Sequence, residues 1–511
     1  MQDAIPAAVA AALARAEGGA AVACHETHCS WVLVAGDRAL KVKKPIVLSY
    51  LDYGTLERRH AMCREEVRLN RRLAPALYRG TVSIVARDGG AVALDPYDDA
   101  PGAVEFAVDM RRYEEGDTLA ERLRAGAATP GQLRAVGARL AGFHAAEPRP
   151  QETEPAFAAL RAAVRTTLDD LEADAGAEID DGRVPTLRVL MEAALAARRA
   201  ELLERGRRGL VVDGHGDLRA QHVLVTDPVQ VVDALEFDAA LRIADVSCDL
   251  GFLVMDLEGV GADDLATALV DGYREAGGDP GDRQLLATMG CYRALVRAKV
   301  DLARGGHGHG RARERLDQAL RLGWRARGPQ LIAVWGPPAS GKSTLARELC
   351  AQSGMAHVSS DVVRKARIGL APTDRAPAAA YGHEATLATY RDLGQRAAAA
   401  MSAGRGAVID ATLGDPAARD ALRDGLGPPT AARLRYVECR VPTAEAARRA
   451  RARERDAGRE SDAGVDVAAR LASAWAALDE VSAERHLVVR ADRPVGDVAR
   501  DVGAWLDRTW A

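Results

Sequence analysis

Aromatic residues make up only 4% of this 511-residue chain, and the charges nearly cancel: 69 Lys and Arg against 73 Asp and Glu leave −4. That balance gives no support for a general coat binding nucleic acid or an anionic membrane, and leaves room only for local patches. There is no C-x-x-C. The seven cysteines, at 24, 29, 63, 248, 291, 350 and 439, are odd in number and scattered. This argues against a disulfide framework and a structural zinc, and for free thiols in a reducing compartment. The N-terminus has no basic leader region and carries Asp3 and Pro6, so no signal peptide is expected. No apolar run approaches the length of a bilayer span. A soluble, cytoplasmic protein is expected. The length suits three or so domains' worth of chain, with ample core.

What is present concentrates first in Leu331 to Leu345, LIAVWGPPASGKSTL. Leu331 to Trp335 has the apolar character of a buried parallel strand. Gly336, Pro337, Pro338, Ala339, Ser340, Gly341, Lys342 and Ser343 then complete G-x-x-x-x-G-K-[ST], and Thr344 opens a helical pattern. The glycines let the loop curl so that successive backbone N–H groups face phosphate oxygens. The helix N-terminus adds its positive dipole, Lys342 reaches the β and γ phosphates, and the Ser343 hydroxyl holds Mg²⁺. The strand before and the helix after set this apart from an ordinary glycine-rich turn. It is a nucleoside-triphosphate site. A P-loop normally occupies the first βα unit of its domain, so the more than three hundred residues upstream should form something else.

Upstream, residues 5–20 read as a short helix, and Trp31–Val34 with Ala39–Lys43 as a β-hairpin turning at Ala35-Gly36-Asp37. Lys41 and Lys43 are two apart and project from one face. Alone, that is an ordinary solvated lysine face on an edge strand. Residues 55–73 then read as a helix carrying Glu65 and Glu66. A strand lysine followed by a helix glutamate is how a kinase N-lobe positions ATP phosphates. No glycine-rich loop of protein-kinase type precedes it. Residues 80–115 should complete a small sheet. Amphipathic helix, including Gln132–His144 and Leu187–Glu204, should follow to about 208.

The second informative stretch is LVVDGHGDLRAQHVLV, Leu210 to Val225, followed by Val231-Val232-Asp233, with Glu236, Asp245 and Asp249 behind. An apolar strand, a polar loop with Asp217, and a further strand ending in Asp233 is the way kinase-like folds assemble their machinery. One carboxylate faces the acceptor hydroxyl and the other holds Mg²⁺. The apolar flanks argue against a surface acidic turn. Residues 282–304 read as a closing helix, and His307 and His309 in GGHGHG as linker rather than a metal tract.

His215-Gly216-Asp217-Leu218, the apolar strand after it and Asp233 resemble the aminoglycoside phosphotransferase-like kinases, a group that includes choline, homoserine-type and sugar kinases. The likeness covers residues 20–310 and is most similar to the domain fused to a P-loop ATPase in bacterial two-kinase proteins. It rests on ETHCSWVLVAGDRALKVKKP, LDYGTLERRHAMCREEVRLNRRLAP, HGDLRAQHVLV, VVDALEFDAALRIADVSCDLGFLVMDL and YRALVRAKV. The resemblance implies Asp217 as catalytic Asp, Asp233 as Mg²⁺ ligand, Lys41 as phosphate-contacting lysine and Glu66 as its helix partner. Lys43 and Glu65 are the alternatives one register step away. The wider group places Asn five residues after the catalytic Asp as second metal ligand, whereas this chain has His222. A neutral imidazole suits Zn²⁺ or Mn²⁺ better than Mg²⁺, which points to slow transfer, altered metal preference or lost activity. His215 is expected to be a structural member of the loop, and Asp245 and Asp249 to brace it through backbone N–H groups.

Beyond the P-loop, Ala356 to Asp361 reads as a strand ending in a carboxylate, with Arg364 one helical turn on. Residues 384–403 read as a helix, and Ala407 to Thr412 as a strand with Asp410 at its C-terminal end. Ligands of open α/β sheets bind beyond those ends. Asp410 is placed to hold the metal through water, and Asp361 to take a proton from an acceptor hydroxyl. SSDVVRKARIG, VIDAT and RARERDAGRESDA resemble the P-loop kinases grouped with polynucleotide 5′-hydroxyl kinases, zeta toxins and gluconate kinases, over residues 330–510. That likeness implies that Asp361 and Arg364 serve the acceptor. It also implies that one of Arg449, Arg451 and Arg453, with Arg451 the chosen candidate, closes over ATP.

These readings imply an α+β bilobal protein-kinase-like domain over 1–310, a linker over 311–328, and an α/β three-layer P-loop NTPase domain over 329–511. The function they imply is a phosphotransferase using ATP and Mg²⁺ at two sites, with small-molecule hydroxyl acceptors and neither nucleic-acid nor membrane partners. The acceptors and the oligomeric state are not specified by sequence. Two other readings compete. One is an ATP-binding sensor with a degenerate N-terminal site and an active P-loop ATPase. The other is a nucleic-acid 5′-hydroxyl kinase, which predicts steep salt dependence.

Overall fold

A computed structural model describes residues 4–48, 51–88, 91–174, 182–305, 308–453 and 478–508. Two compact units emerge: Met1–Val164 with Arg198–Asp282, and Arg165–Ala197 with Arg283–Ala511.

The first unit opens with a helix, Ala4–Ala16, and a six-stranded antiparallel sheet. Its strands are β1 (Ala23–Glu26), β2 (Ser30–Ala35), β3 (Arg38–Lys43), β4 (Tyr78–Ala86), β5 (Val92–Asp95) and β6 (Ala103–Arg111), in the order β1-β2-β3-β6-β4-β5. Alternation along β3 decides what faces what. Leu40 and Val42 pack with Val9, Leu13 and Leu33 under the first helix. Ala39, Lys41 and Lys43 point to the other face, which is covered by the helix Leu56–Asn70 through Cys63 and Val67. Thr55 caps that helix by accepting from Arg58 N at 3.3 Å. The rest of the unit is largely helical, including Pro130–Ala146, Val246–Gly259 and Asp263–Glu275. Two short antiparallel pairs, Val223–Leu224 with Gln230–Val231 and Val211–Asp213 with Ile243–Asp245, frame the loops that carry Asp217 and Asp233.

The second unit holds a parallel sheet of β7 (Leu331–Trp335), β8 (Ala356–Ser359), β9 (Ala407–Ala411), β10 (Arg435–Arg440) and β11 (His486–Arg490), in the order β8-β9-β7-β10-β11. All five residues of β7 and of β9 are buried, the near-continuous apolar pattern of strands covered on both faces. Helices Lys342–Ser353, His383–Ser402 and Val495–Arg508 belong to this unit.

Three expectations differ in detail from the structure. Residues 187–204 form two helices, Arg183–Ala197 and Arg199–Arg207, because the chain departs from helical geometry at Arg198 (φ −98, ψ 4). There the Arg198 guanidinium binds Glu201 at 2.6 Å and Asp282 at 3.1 Å. Most of 311–328, expected as a linker, is the helix Gly308–Ala326. It buries Ala312, Leu316, Ala319, Leu320 and Trp324, an apolar stripe at helical spacing. His309 sits exposed in its first turn, and His307 lies outside the described residues. Finally, β8 ends at Ser359, so Asp361 belongs to the first turn of the helix Ser360–Arg367. An acidic side chain is favoured there by the helix dipole.

Candidate functional site

In the first unit the two loops of the HGDL segment converge with β3 and the helix Leu56–Asn70. Lys41 Nζ lies 2.8 Å from Glu66 Oε1 and 2.5 Å from Asp233 Oδ1. Lys43 Nζ lies 2.7 Å from Glu66 Oε2 and also pairs with Glu236. Glu66 receives both lysines, while Glu65 binds Arg68 at 2.7 Å and Arg242 at 3.1 Å. Burial opposes the charged form of both lysines. The neighbouring carboxylates, Asp233 first for Lys41 and Glu236 first for Lys43, more than offset it and hold each well above its usual value.

Asp233 sits at φ +65, a left-handed conformation that a non-glycine residue adopts only when held. The holders are visible. Its N–H donates to Tyr78 Oη at 3.3 Å, and the next N–H, of Ala234, donates to Asn70 Oδ1 at 2.9 Å. Burial raises the Asp233 carboxyl, but Lys41 and then His222 outweigh it and keep it well below the usual carboxylate range.

Asp217 is about one-third exposed, with its carboxylate 3.7 Å from His222 Nδ1. His222 Nδ1 faces the Asp217 carbonyl at 2.8 Å, so in the neutral ring Nδ1 donates and Nε2 keeps its lone pair. That nitrogen lies 3.5 Å from Asp233 Oδ2 and 2.9 Å from Gln221 Nε2. Asp217, His222 and Asp233 therefore come together. The fully buried His215 accepts from Asp217 N at Nδ1 (3.3 Å) and faces Val232 O with Nε2 (2.9 Å); burial depresses its pKa, and it is structural. Asp249 accepts from His215 N at 2.7 Å and Gly216 N at 2.9 Å. Asp245 caps the helix Val246–Gly259 at Ser247 N (2.9 Å) and pairs with Arg205.

In the second unit, Asp410 stands in register with Val334 on one side and Ser359 on the other. The P-loop therefore starts two residues beyond the same row, and Asp361 follows two residues beyond Ser359. A Cβ on Gly336 would come within 2.7 Å of Cys439 O and Ser340 Oγ, so only glycine allows this turn. Gly341, at φ +94, precedes the helix Lys342–Ser353. Pro337 and Pro338 have no N–H to donate, and Ser340 N donates to Pro337 O at 3.2 Å. Burial raises the Asp410 carboxyl, but His357, Lys342 and Ser343 together hold it below its usual value. Asp410 Oδ1 and Ser340 Oγ are buried without a hydrogen-bond partner among the described residues.

The remaining P-loop-domain candidates divide. Arg364 is buried, donates to Ala380 O at 2.8 Å and stacks on Tyr381 at 4.7 Å, so it faces the 378–386 segment rather than the P-loop. Arg451 is exposed. Arg449 instead lies 3.2 Å from where a Gly341 Cβ would stand, held by Glu445 (2.6 Å) and Ala491 O (3.0 Å). The arginine beside the loop is Arg449 rather than Arg451, because residues two apart on the helix Thr443–Arg453 lie about 200° apart around its axis, on roughly opposite faces. A cavity of about 400 Å³, lined by Gly341, Thr344, Leu345, Arg449, Ala491 and Val498, opens beside it. Sequence reasoning assigned no role to Tyr53, Asn70 or Tyr78, and named Glu236 without one. The i, i+2 lysines and a carboxylate three residues after Asp233 were the available signals.

A family model described as AAA domain matches residues 331–478. A Mycobacterium tuberculosis (strain ATCC 25618 / H37Rv) relative, "Uncharacterized protein Rv2004c", is 31% identical over 464 residues, covering 89% of this chain and 90% of its own. Among solved structures, a choline/ethanolamine kinase family protein from Mesorhizobium loti is 16% identical, covering 61% of this chain and 93% of its own, with TM-score 0.40. A gluconokinase from Sinorhizobium meliloti 1021 is 19% identical, covering 35% of this chain and 93% of its own, with TM-score 0.25. The chain belongs to the family of the mycobacterial protein, and within it residues 331–478 match the AAA domain model.

Proposed function

We propose that the protein is an ATP-dependent phosphotransferase with two separate sites, each passing the γ-phosphoryl group of ATP to a hydroxyl of a small molecule. The observation that carries this reading is the meeting of Asp217, His222 and Asp233 beside the Lys41–Glu66 pair, in a chain that also carries a complete P-loop.

At the first site Asp217 would accept the proton of the acceptor hydroxyl as its oxygen bonds to the γ-phosphorus and ADP leaves. Asp233 and His222 would hold the metal, and Lys41 would offset phosphate charge. His222 Nε2 and the half-exposed Asp233 carboxylate face each other at 3.5 Å and could hold a divalent ion once the Gln221 amide, 2.9 Å from that nitrogen, gives it up. Lys41 pairs with Asp233 Oδ1 in this structure and would be available to offset phosphate charge. At the second site Lys342 and the backbone donors would hold the phosphates, Ser343 and Asp410 the metal, Arg449 the nucleotide, and Asp361 the acceptor proton. When bound, Mg²⁺ neutralises charge on the transferred phosphoryl group.

The test is product formation from labelled ATP across a metabolite panel, with Asp217→Asn and Lys342→Ala made separately. Each substitution should remove one set of products and spare the other. If Asp217→Asn changes nothing with any acceptor, the first site is not a phosphotransferase. The sensor reading would then replace this one.

A further inference from the structure

The mechanism above uses Lys41, Glu66 and Asp233, yet these three are half of a longer chain of alternating charge. Asp233, Lys41, Glu66, Lys43, Glu236 and Tyr53 follow one another, each in contact with the next. Glu66 is fully buried and both its oxygens are spoken for, Oε1 by Lys41 and Oε2 by Lys43. Lys43 is also fully buried, and a buried ammonium sharing one carboxylate with a second lysine would be undercompensated. Glu236 supplies the missing charge. Tyr53 Oη donates to the same Glu236 oxygen at 2.5 Å, and its ring lies 4.9 Å from Lys43 Nζ.

The topology gives this arrangement a consequence. Asp233 and Glu236 belong to one short loop, and Lys41 and Lys43 to one face of β3. The loop is therefore gripped at two points by one strand, with the helix Leu56–Asn70 fixed between them through Glu66. Lys43 also decides what Lys41 can do. By holding Glu66 Oε2, it leaves Lys41 a single oxygen of Glu66 and leaves its remaining attraction directed at Asp233. Without Lys43, the whole buried carboxylate would draw Lys41 inward.

We propose that Lys43 and Glu236 are positioning residues of the first site: a buried clamp that sets Lys41 and the Asp233 loop in register for metal-bound nucleotide. The clamp touches neither phosphate nor metal. It rests on the reading of this site as a nucleotide site and adds the device that keeps it formed.

The experiment measures MgADP binding to the full chain in a Lys342→Ala background, which weakens the P-loop site. Lys43→Met and Glu236→Gln should each raise the dissociation constant at least tenfold. The double variant should be no worse than the single ones, since each breaks the same link, and Lys43→Arg should restore part of the loss. Nucleotide-free melting, followed in parallel, separates this role from a purely structural one. Lower melting temperatures with unchanged MgADP affinity would overturn the clamp, as would additive losses in the double variant. Asp233→Asn is the control for the site itself. If it abolishes MgADP binding while Lys43→Met does not weaken it, the clamp alone is wrong; if it too has no effect, the nucleotide reading falls and the clamp with it.

Discussion

The two sites proposed to take ATP pair their charges in opposite ways. The first unit arranges its charges as internal pairs: Lys41 with Asp233, Lys43 with Glu236, and Glu66 between them. At the second, Ser340 Oγ in the P-loop and Asp410 Oδ1 on β9 are buried without a hydrogen-bond partner among the described residues, and the loop turns at Gly336, where glycine alone fits. On the proposed function, a ligand would exchange partners at the first site and meet unpartnered polar atoms at the second. The difference teaches that the first site is tuned by competition between side chains and the second by backbone shape. It follows that side-chain substitutions should be felt over a longer chain of residues in the first unit.

Four measurements would break or sharpen this contrast. The largest effect is expected from Asp217→Asn. It should slow first-site transfer by about 10²- to 10⁴-fold, the typical worth of a general base, while P-loop turnover stays within twofold. Next, Lys342→Ala should cost P-loop turnover about 10²- to 10³-fold, the scale of losing one preorganised phosphate contact, and spare first-site products. If either substitution silences both activities in product assays, the two sites are not independent and the comparison fails.

The third effect is on stability. Asp249 braces the HGDL loop. Burial raises its pKa, but His144, His215 and the backbone N–H of His215 hold it below the ordinary 3.8. Because the folded value is the lower one, the stabilisation is fully present above that ordinary value and is lost as pH falls through the folded value. Asp249→Asn should therefore cost about 3 kcal/mol at pH 7. In urea titrations, the gap to the parent protein should narrow below about pH 4. A gap that stays constant down to pH 3 would refute the assignment. The smallest effect concerns Arg449. Arg449→Ala should weaken P-loop nucleotide binding about tenfold, or ~1.4 kcal/mol, while Arg451→Ala leaves it unchanged; calorimetry on both variants would settle which arginine lies over the loop.

Much of this was legible in the sequence because it depends on local spacing. The strand Leu331–Trp335 and the loop after it follow from an apolar run abutting a glycine pattern. The hairpin holding Lys41 and Lys43 follows from alternation around a turn. The bracing role of Asp249 was readable in kind, as a carboxylate near a loop rich in free N–H groups. Other features were hidden because they need two distant segments at once. The helix Gly308–Ala326 carries a clear apolar stripe, yet its glycine- and arginine-rich start resembles a connection. Asp361 sits at a strand-to-helix junction, where one residue changes the element but not the spacing to Arg364. Among Arg449, Arg451 and Arg453, only the helix direction separates the first from the second.

The sequence by itself determined that a triphosphate loop lies between a strand and a helix, and that two carboxylates flank the segment after HGD. Both are short-range matters, fixed by dihedral preference and by periods of two and 3.6 residues. Only the tertiary structure decided that Glu66 is divided between two lysines, and that Glu236 neutralises the second across a separation of 193 residues. Such pairings form where burial makes an unpaired charge too costly, and burial belongs to the whole fold rather than to any stretch of it.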